Sequence, residues 1–165
     1  MKIKDFFLFL FLGLFFLVLQ STWLSGELIH PYRLDFLFVL IIFLGSLNRL
    51  VLGLIVSVLL GMMVDLLSWG VLGLAVILYP LIFWIFSFIH SRTNIESLVF
   101  PGIAVLVFQL LYGLVVFFLL SFFKGLEFPQ HQSLLIFEQA IITALLSVPV
   151  LYFLKAFLRK KPSLI

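Results

Sequence analysis

Residues 57–73 read SVLLGMMVDLLSWGVLG, an almost wholly apolar stretch that contains a single acid, Asp65. No basic residue lies near Asp65 in the sequence. A carboxylate is expensive to place inside hydrocarbon, so something must compensate for it. The group that compensates for the carboxylate depends on where the membrane lies, which way the chain crosses it and which other polar groups reach the same depth.

The composition of the 165-residue chain is typical of an integral membrane protein. Hydrophobic residues make up 65% of the sequence and charged residues only 10%, and the mean hydropathy is +1.37. A soluble domain carries about a quarter charged residues, so this chain cannot cover its surface with polar groups. No polar segment is long enough to fold separately, which predicts a single domain over residues 1–165.

The sequence shows no set of residues that would support catalysis or metal binding. It has no cysteine, and its three histidines lie far apart, so a metal site is not predicted. Paired catalytic acids, a nucleophile with a base, HExxH and a P-loop are all missing. We therefore expect a protein that is not an enzyme and has no cofactor. The formal net charge of +3 is compatible with nucleic-acid binding, but helix orientation explains the excess Lys and Arg better, so no nucleic-acid partner is expected.

Six apolar runs predict six transmembrane helices, at about residues 6–24, 34–47, 50–68, 71–89, 98–122 and 134–154. Five are long enough to cross a hydrocarbon core of ~30 Å at ~1.5 Å per residue. The second, DFLFVLIIFLGSL, reaches only about 20 Å and is either a short span or a re-entrant segment. The first begins like a signal peptide, but its apolar run is too long and no cleavage site follows, so we expect a retained helix.

The distribution of Lys and Arg decides between the two interpretations of the second run. With six crossings and a cytoplasmic N-terminus, only Arg33 and Lys124 of the ten basic residues lie outside. A re-entrant second run would move the basic tail at residues 155–165 to the outside, against the bias of cytoplasmic segments toward Lys and Arg. We therefore predict a six-helix bundle with both termini in the cytoplasm. The basic tail is also suited to contact with anionic lipid headgroups.

Polar side chains concentrate in the predicted outer half of this bundle. Asp65 lies about three residues, or roughly 5 Å, from the outer end of helix three. Arg33 and Asp35 lie at the outer start of helix two, and Glu138 lies just inside the outer start of helix six. Arg33 is the only Arg on that side, so we expect it to pair with Asp65 in an outer-leaflet polar cluster. The alternatives are an Asp65 that reaches the headgroups alone and a Glu138 that only complements its helix dipole.

A stripe of small residues leads to Asp65. Gly53, Ser57 and Gly61 follow one another at intervals of four, and Asp65 is the next step. Each step turns about 40° around a helix, so all four lie on one slowly drifting face. Small residues at this spacing let a second helix approach closely. The stripe therefore predicts a helix–helix contact, and it leaves open whether the second helix belongs to this chain or to a partner.

The order of these features resembles the rod shape-determining protein MreD family. A short second helix begins near Asp35, a turn carries Arg49, and the pattern G-x7-G-x3-D-L-L-S-x-G-x2-G follows. The residues of this pattern are Gly53, Gly61, Asp65, Leu66, Leu67, Ser68, Gly70 and Gly73. The resemblance covers about residues 33–80, and the chain length, the six helices and the basic tail are similar as well.

The resemblance implies a non-enzymatic, multi-pass subunit of the cell-elongation complex in the bacterial cytoplasmic membrane. Such a subunit helps to organise peptidoglycan synthesis and to maintain cell shape. The implied partners are a bitopic MreC-like protein, a RodA-type glycosyltransferase, a class B transpeptidase and, indirectly, the MreB filament.

A second hypothesis is a solute- or lipid-binding subunit of a transporter, because the family is similar in architecture to the substrate-binding subunits of ECF-type transporters. Asp65, Arg33 and Glu138 would then line an outer pocket. The bulky first helix, which contains no Ala, and the short loops disfavour this hypothesis.

Overall fold

A computed structural model of the chain describes residues 3–22, 35–47, 49–67, 73–93, 99–124 and 130–159. The elements are α1 (Ile3–Thr22), α2 (Phe36–Ser46), α3 (Leu50–Leu67), α4 (Leu74–Thr93), α5 (Val99–Lys124) and α6 (Gln130–Arg159). These ranges contain no strand, so the prediction of an all-α protein with six helices is confirmed. Within them, four stretches are long and apolar enough to cross a membrane: Leu50–Leu67, Leu74–Thr93, Phe100–Leu119 and Phe137–Ala156.

The short helix α2 lies at the centre of the bundle. It packs against each of the other five helices, and all residues from 37 to 45 are buried. Its apolar side chains run around the whole helix, which is typical of a helix surrounded by protein. With 11 residues it is about 17 Å long, so α2 alone extends through only about half of a hydrocarbon core.

The other five helices form two groups around α2. The α3–α4 pair has the most extensive contact in the molecule, and α1 packs against α3. The α5–α6 pair reaches this first group through α2 and through a small contact between α4 and α5. Among the described residues, α1 touches neither α5 nor α6. The central helix α2 is therefore the main connection between the two groups.

Glycines on α2 and α3 make room for large rings of α4. A Cβ atom at Gly45 would lie 2.6 Å from the ring of Phe86, and one at Gly53 would collide with the ring of Phe83. Both rings are buried, so neither can easily move aside in a close-packed interior. These two positions therefore set how closely α4 approaches its neighbours.

An ion pair joins the start of α1 to the start of α3. Arg49, the residue before α3, donates a hydrogen bond to the carboxylate of Asp5 at 2.6 Å. The side chain of Asp5 is only 6% exposed, whereas that of Arg49 is 30% exposed. The pair places the starts of the two helices at the same end of the bundle.

We expect Arg49→Ala to destabilise the protein by about 2 kcal/mol, because the buried Asp5 carboxylate would lose a charged partner. Thermal unfolding of the purified protein in detergent measures this loss. The control is Arg92→Ala, since Arg92 is exposed and lies over the ring of Phe88 at 4.7 Å. Arg92→Ala should lower the stability of the protein by less than about 1 kcal/mol. Equal destabilisation by the two substitutions would contradict a structural role for the Asp5–Arg49 pair.

Candidate functional site

The carboxylate of Asp65 caps the start of α4. Its two oxygens accept hydrogen bonds from the backbone N–H groups of Ala75, at 3.1 Å, and Val76, at 3.0 Å. These groups belong to the first turn of the helix, where N–H groups have no carbonyl partner within the helix. The residue before α4 is Gly73, with φ +90°, and it has no side chain that could cap the helix. Asp65 therefore supplies the cap from α3, and its negative charge lies at the positive end of the α4 dipole.

This cap explains how an acid is accommodated within the apolar stretch of α3. Asp65 is 7% exposed, and each carboxylate oxygen has a backbone donor. The predicted partner Arg33 lies outside the described residues, so an additional pairing with Arg33 stays a prediction.

Gly61 allows α3 and α4 to touch at the level of the Asp65 cap. A Cβ atom at Gly61 would lie 2.6 Å from the carbonyl oxygen of Ala75 and 2.9 Å from the Cα of Val76. Both are backbone atoms, which cannot rotate away as a side chain can. Ala75 and Val76 are also the residues that donate to Asp65. One turn of α3 thus provides both the space and the acceptor that fix the start of α4.

The rest of the small-residue stripe is also buried inside the chain. Gly53 lies beside Phe83 of α4. Ser57 is fully buried, and its hydroxyl donates to the carbonyl oxygen of Leu54 in its own helix at 2.9 Å. In this structure, Gly53 and Gly61 both face α4 of the same chain.

A second acid, Asp35, connects three helices at the start of α2. Its Oδ1 accepts a hydrogen bond from Nε2 of Gln20 in α1 at 2.9 Å. Its Oδ2 accepts one from Nε2 of Gln109 in α5 at 3.5 Å. The backbone carbonyl of Asp35 accepts from the N–H of Phe38 at 3.1 Å, which begins the helix. Asp35 therefore links the central helix to both groups of helices.

Three aromatic rings from α2, α4 and α5 pack against one another. Phe38 of α2, Tyr79 of α4 and Tyr112 of α5 have ring centroids 6.0–6.1 Å apart. Phe38 lies in the first turn of α2, three residues after Asp35, and Tyr112 lies one turn along α5 from Gln109, which donates to Asp35, so Asp35 and the rings share one part of the bundle. We call the set of Gln20, Asp35, Tyr79, Gln109 and Tyr112 the buried polar cluster.

The structure distributes the predicted polar residues unequally. Asp65 is buried and Asp35 is half-buried, whereas Glu138 is exposed on α6. Ser68 and Gly70 of the family pattern lie in a part of the chain that the structure does not describe. In the described ranges, no group of His, Cys, Asp and Glu could hold a metal ion.

Three members of the buried polar cluster are only weakly indicated by the sequence. Gln109 is an isolated polar residue within an apolar run, which signals a buried partner but does not identify it. Tyr79 and Tyr112 are indistinguishable in the sequence from other aromatic residues of membrane helices.

Four long apolar helices and apolar faces that remain exposed in the folded chain define a multi-pass membrane protein. The family model of the rod shape-determining protein MreD matches residues 1–161. The chain therefore belongs to the MreD family. Comparisons with curated proteins and with solved structures found no match.

We expect Asp65→Ala to destabilise the protein by about 2–3 kcal/mol, because two N–H groups of α4 would be buried without acceptors. Asp65→Asn should cost less, since its amide oxygen can still accept one of the two bonds. Ser57→Ala is the control on the same stripe, because it removes a hydroxyl that bonds only within its own helix. Thermal unfolding in detergent should rank the three variants in this order, and a mild effect of Asp65→Ala would contradict the cap.

A single methyl group at Gly61 should separate α3 from α4. We expect Gly61→Ala to cost about 1–3 kcal/mol of stability, because the new Cβ meets rigid backbone. Gly102→Ala is the matched control, since its Cβ would lie 3.4 Å from a methyl group of Val148, an ordinary contact. An unchanged unfolding temperature for both substitutions would contradict the close approach of α3 and α4 at Gly61.

Proposed function

We propose that this protein is a non-enzymatic subunit of the bacterial cell-elongation complex in the cytoplasmic membrane. It binds a bitopic MreC-like protein, a RodA-type glycosyltransferase and a class B transpeptidase, and through them it organises peptidoglycan synthesis. Its connection to the MreB filament is indirect. Membership in the MreD family, which implies a role in rod shape determination, is the observation that carries this proposal.

The packing of the polar residues indicates which surfaces remain for partners. Asp65 holds the start of α4 and Asp35 joins α1, α2 and α5, so both acids act within the chain. The outward faces carry large apolar side chains, among them Phe11, Leu66 and Leu145, which are 70–78% exposed. The single transmembrane helix of a bitopic partner would pack on such a face by van der Waals contact.

The membrane arrangement that we propose has six spans and both termini in the cytoplasm. The excess of Lys and Arg in the segments assigned to the cytoplasm supports it. The Asp5–Arg49 pair is compatible with it, because α1 and α3 then begin on the same side. Since α2 covers only about half of a hydrocarbon core, this arrangement requires flanking residues to complete the second crossing.

The transporter hypothesis places Asp65, Arg33 and Glu138 around an outer pocket. The described residues offer no observation in favour of that pocket, because Asp65 faces α4 and Glu138 is exposed. We therefore retain the elongation complex as the proposed function.

The natural lack of cysteine allows a direct test of the membrane arrangement. A membrane-impermeant maleimide should label Lys124→Cys in intact spheroplasts, since Lys124 is assigned to the outside. It should label Ser163→Cys, in the basic tail, only after the membrane is permeabilised. Labelling of Ser163→Cys in intact spheroplasts would contradict a cytoplasmic C-terminus.

Site-specific photo-crosslinking tests the proposed partners without disturbing the core. A photoreactive amino acid at Phe11, Leu66, Phe118 and Leu145 samples different helices at exposed positions. We expect at least one face to cross-link to an MreC-like protein in cells and the others to cross-link only to lipid. The control is the same set of variants without irradiation, which should give no intermolecular product. The absence of an MreC-like product from all four faces would contradict the proposed interaction.

A further inference from the structure

Helix α6 has an inward face and an outward face of different chemistry. The inward face consists of small, polar and leucine residues that are buried against the bundle: Ala140, Thr143, Ala144, Ser147, Leu151 and Leu154. The outward face follows Ile141, Leu145, Pro149 and Tyr152, which are three or four residues apart and all exposed. Residues at this spacing lie on one side of a helix. The outward face of α6 is therefore a continuous surface with a proline in it.

Pro149 leaves one backbone carbonyl on this face without its usual donor. It lies inside α6 and has no N–H group, so the carbonyl oxygen of Leu145, four residues earlier, loses the hydrogen bond that a helix normally gives it. Leu145 is 70% exposed. Because Leu145 and Pro149 lie on the same side of the helix, the missing bond is on the outward face.

The neighbouring groups of α6 do not replace the missing donor. The helix continues on both sides of Pro149, so the N–H groups of Val148 and Val150 bond to carbonyls other than that of Leu145. The hydroxyl of Ser147 donates to the carbonyl oxygen of Ala144 at 2.6 Å. The hydroxyl of Thr143 has no partner among the described residues. A proline in a membrane helix is tolerated where a neighbouring group bonds to the freed carbonyl, which makes a donor from outside α6 the expected partner.

The depth of this carbonyl decides which kind of molecule can supply the donor. The stretch Phe137–Ala156 is long and apolar enough to cross a membrane. Leu145 lies about 12 Å from its first residue, which is near the middle of a hydrocarbon core of ~30 Å. Acyl chains have no hydrogen-bond donor, and the core contains no water that could replace one. A lipid therefore does not satisfy this carbonyl, whereas a polar side chain of another membrane helix does.

We propose that the outward face of α6 docks a single transmembrane helix of a partner, which donates a side-chain hydrogen bond to the carbonyl oxygen of Leu145. The partner helix carries Ser, Thr, Asn or Gln near the middle of its span, since these side chains are neutral donors. This inference rests on the proposed function, because it assigns the surface that the bitopic partner occupies. It selects α6 over the exposed apolar faces of α1, α3 and α5.

Pro149→Ala is the most informative variant, because it returns an N–H group to the helix and so satisfies the Leu145 carbonyl without a partner. The variant should fold, since Ala favours a helix more than Pro does. Its association with the partner should weaken roughly three- to fivefold, as expected for the loss of one hydrogen bond between membrane helices. Pro80→Ala is the matched control, since it makes the same change in α4, where Pro80 and Val76 are half-buried.

Photo-crosslinking in cells to a tagged MreC-like protein measures this association. A photoreactive amino acid at Ile141 or at Tyr152 lies on either side of the Leu145 carbonyl on the same face. We expect a product with the tagged protein from both positions. The yield should fall three- to fivefold with Pro149→Ala and stay unchanged with Pro80→Ala. Thermal unfolding in detergent establishes that both variants are folded.

The outcomes separate this inference from the proposed function. A product from Phe11 of α1 or Leu66 of α3, with only lipid adducts from Ile141 and Tyr152, overturns the α6 site and leaves the proposed function intact. The absence of a product from every face contradicts both. An unchanged yield with Pro149→Ala also overturns the inference, as does an equal loss with Pro80→Ala, which would indicate a general effect of helix straightening.

Discussion

The fold of this MreD family member depends on one interaction, the acceptance of two α4 backbone N–H groups by the carboxylate of Asp65. A helix that begins inside a membrane protein has no water to satisfy its first N–H groups, so each must find an acceptor in the protein. Gly73 cannot provide one, and the acceptor comes from the preceding helix. Two hydrogen bonds and the positive end of a helix dipole stabilise the carboxylate charge. An acid is therefore tolerated in a stretch that is otherwise apolar.

The packing of the rest of the bundle depends on the position of α4. α4 contributes Phe83 and Phe86 to the glycine contacts of α3 and α2, and it contributes Tyr79 to the buried polar cluster. The cluster lies at the start of the central helix α2, where Asp35 receives hydrogen bonds from α1 and α5. The capped start of α4 therefore helps to fix how the two groups of helices pack together. Large apolar side chains stay exposed on the outer faces of the folded chain, as expected for a membrane protein.

The sequence predicted the class and the six helices and singled out Asp65, but it did not predict that Asp65 accepts hydrogen bonds from the backbone of α4. A sequence shows side chains as residue types, so Arg33 is the partner that it predicts, and that pairing stays a prediction because Arg33 lies outside the described residues. Any residue except proline can supply a backbone N–H donor, so the sequence does not reveal such a partner. The sequence also predicts that helix four begins at about residue 71, three residues before the observed start at Leu74. The partners of Asp35 were equally hidden, since Gln20 and Gln109 lie 15 and 74 residues away in the chain. The resemblance to the family, in contrast, rests on a pattern of glycines and one acid that is local in the sequence, and the family model over residues 1–161 confirms it.

Amide hydrogen exchange at the start of α4 measures the central interaction directly. In the wild-type protein, the N–H groups of Ala75 and Val76 should exchange slowly. In Asp65→Ala, their exchange should accelerate at least tenfold, as expected for the loss of about 1.4 kcal/mol or more of protection, while the amides around Phe83 stay protected. Equally slow exchange of Ala75 and Val76 in the variant would show that another group satisfies them and that Asp65 does not cap α4.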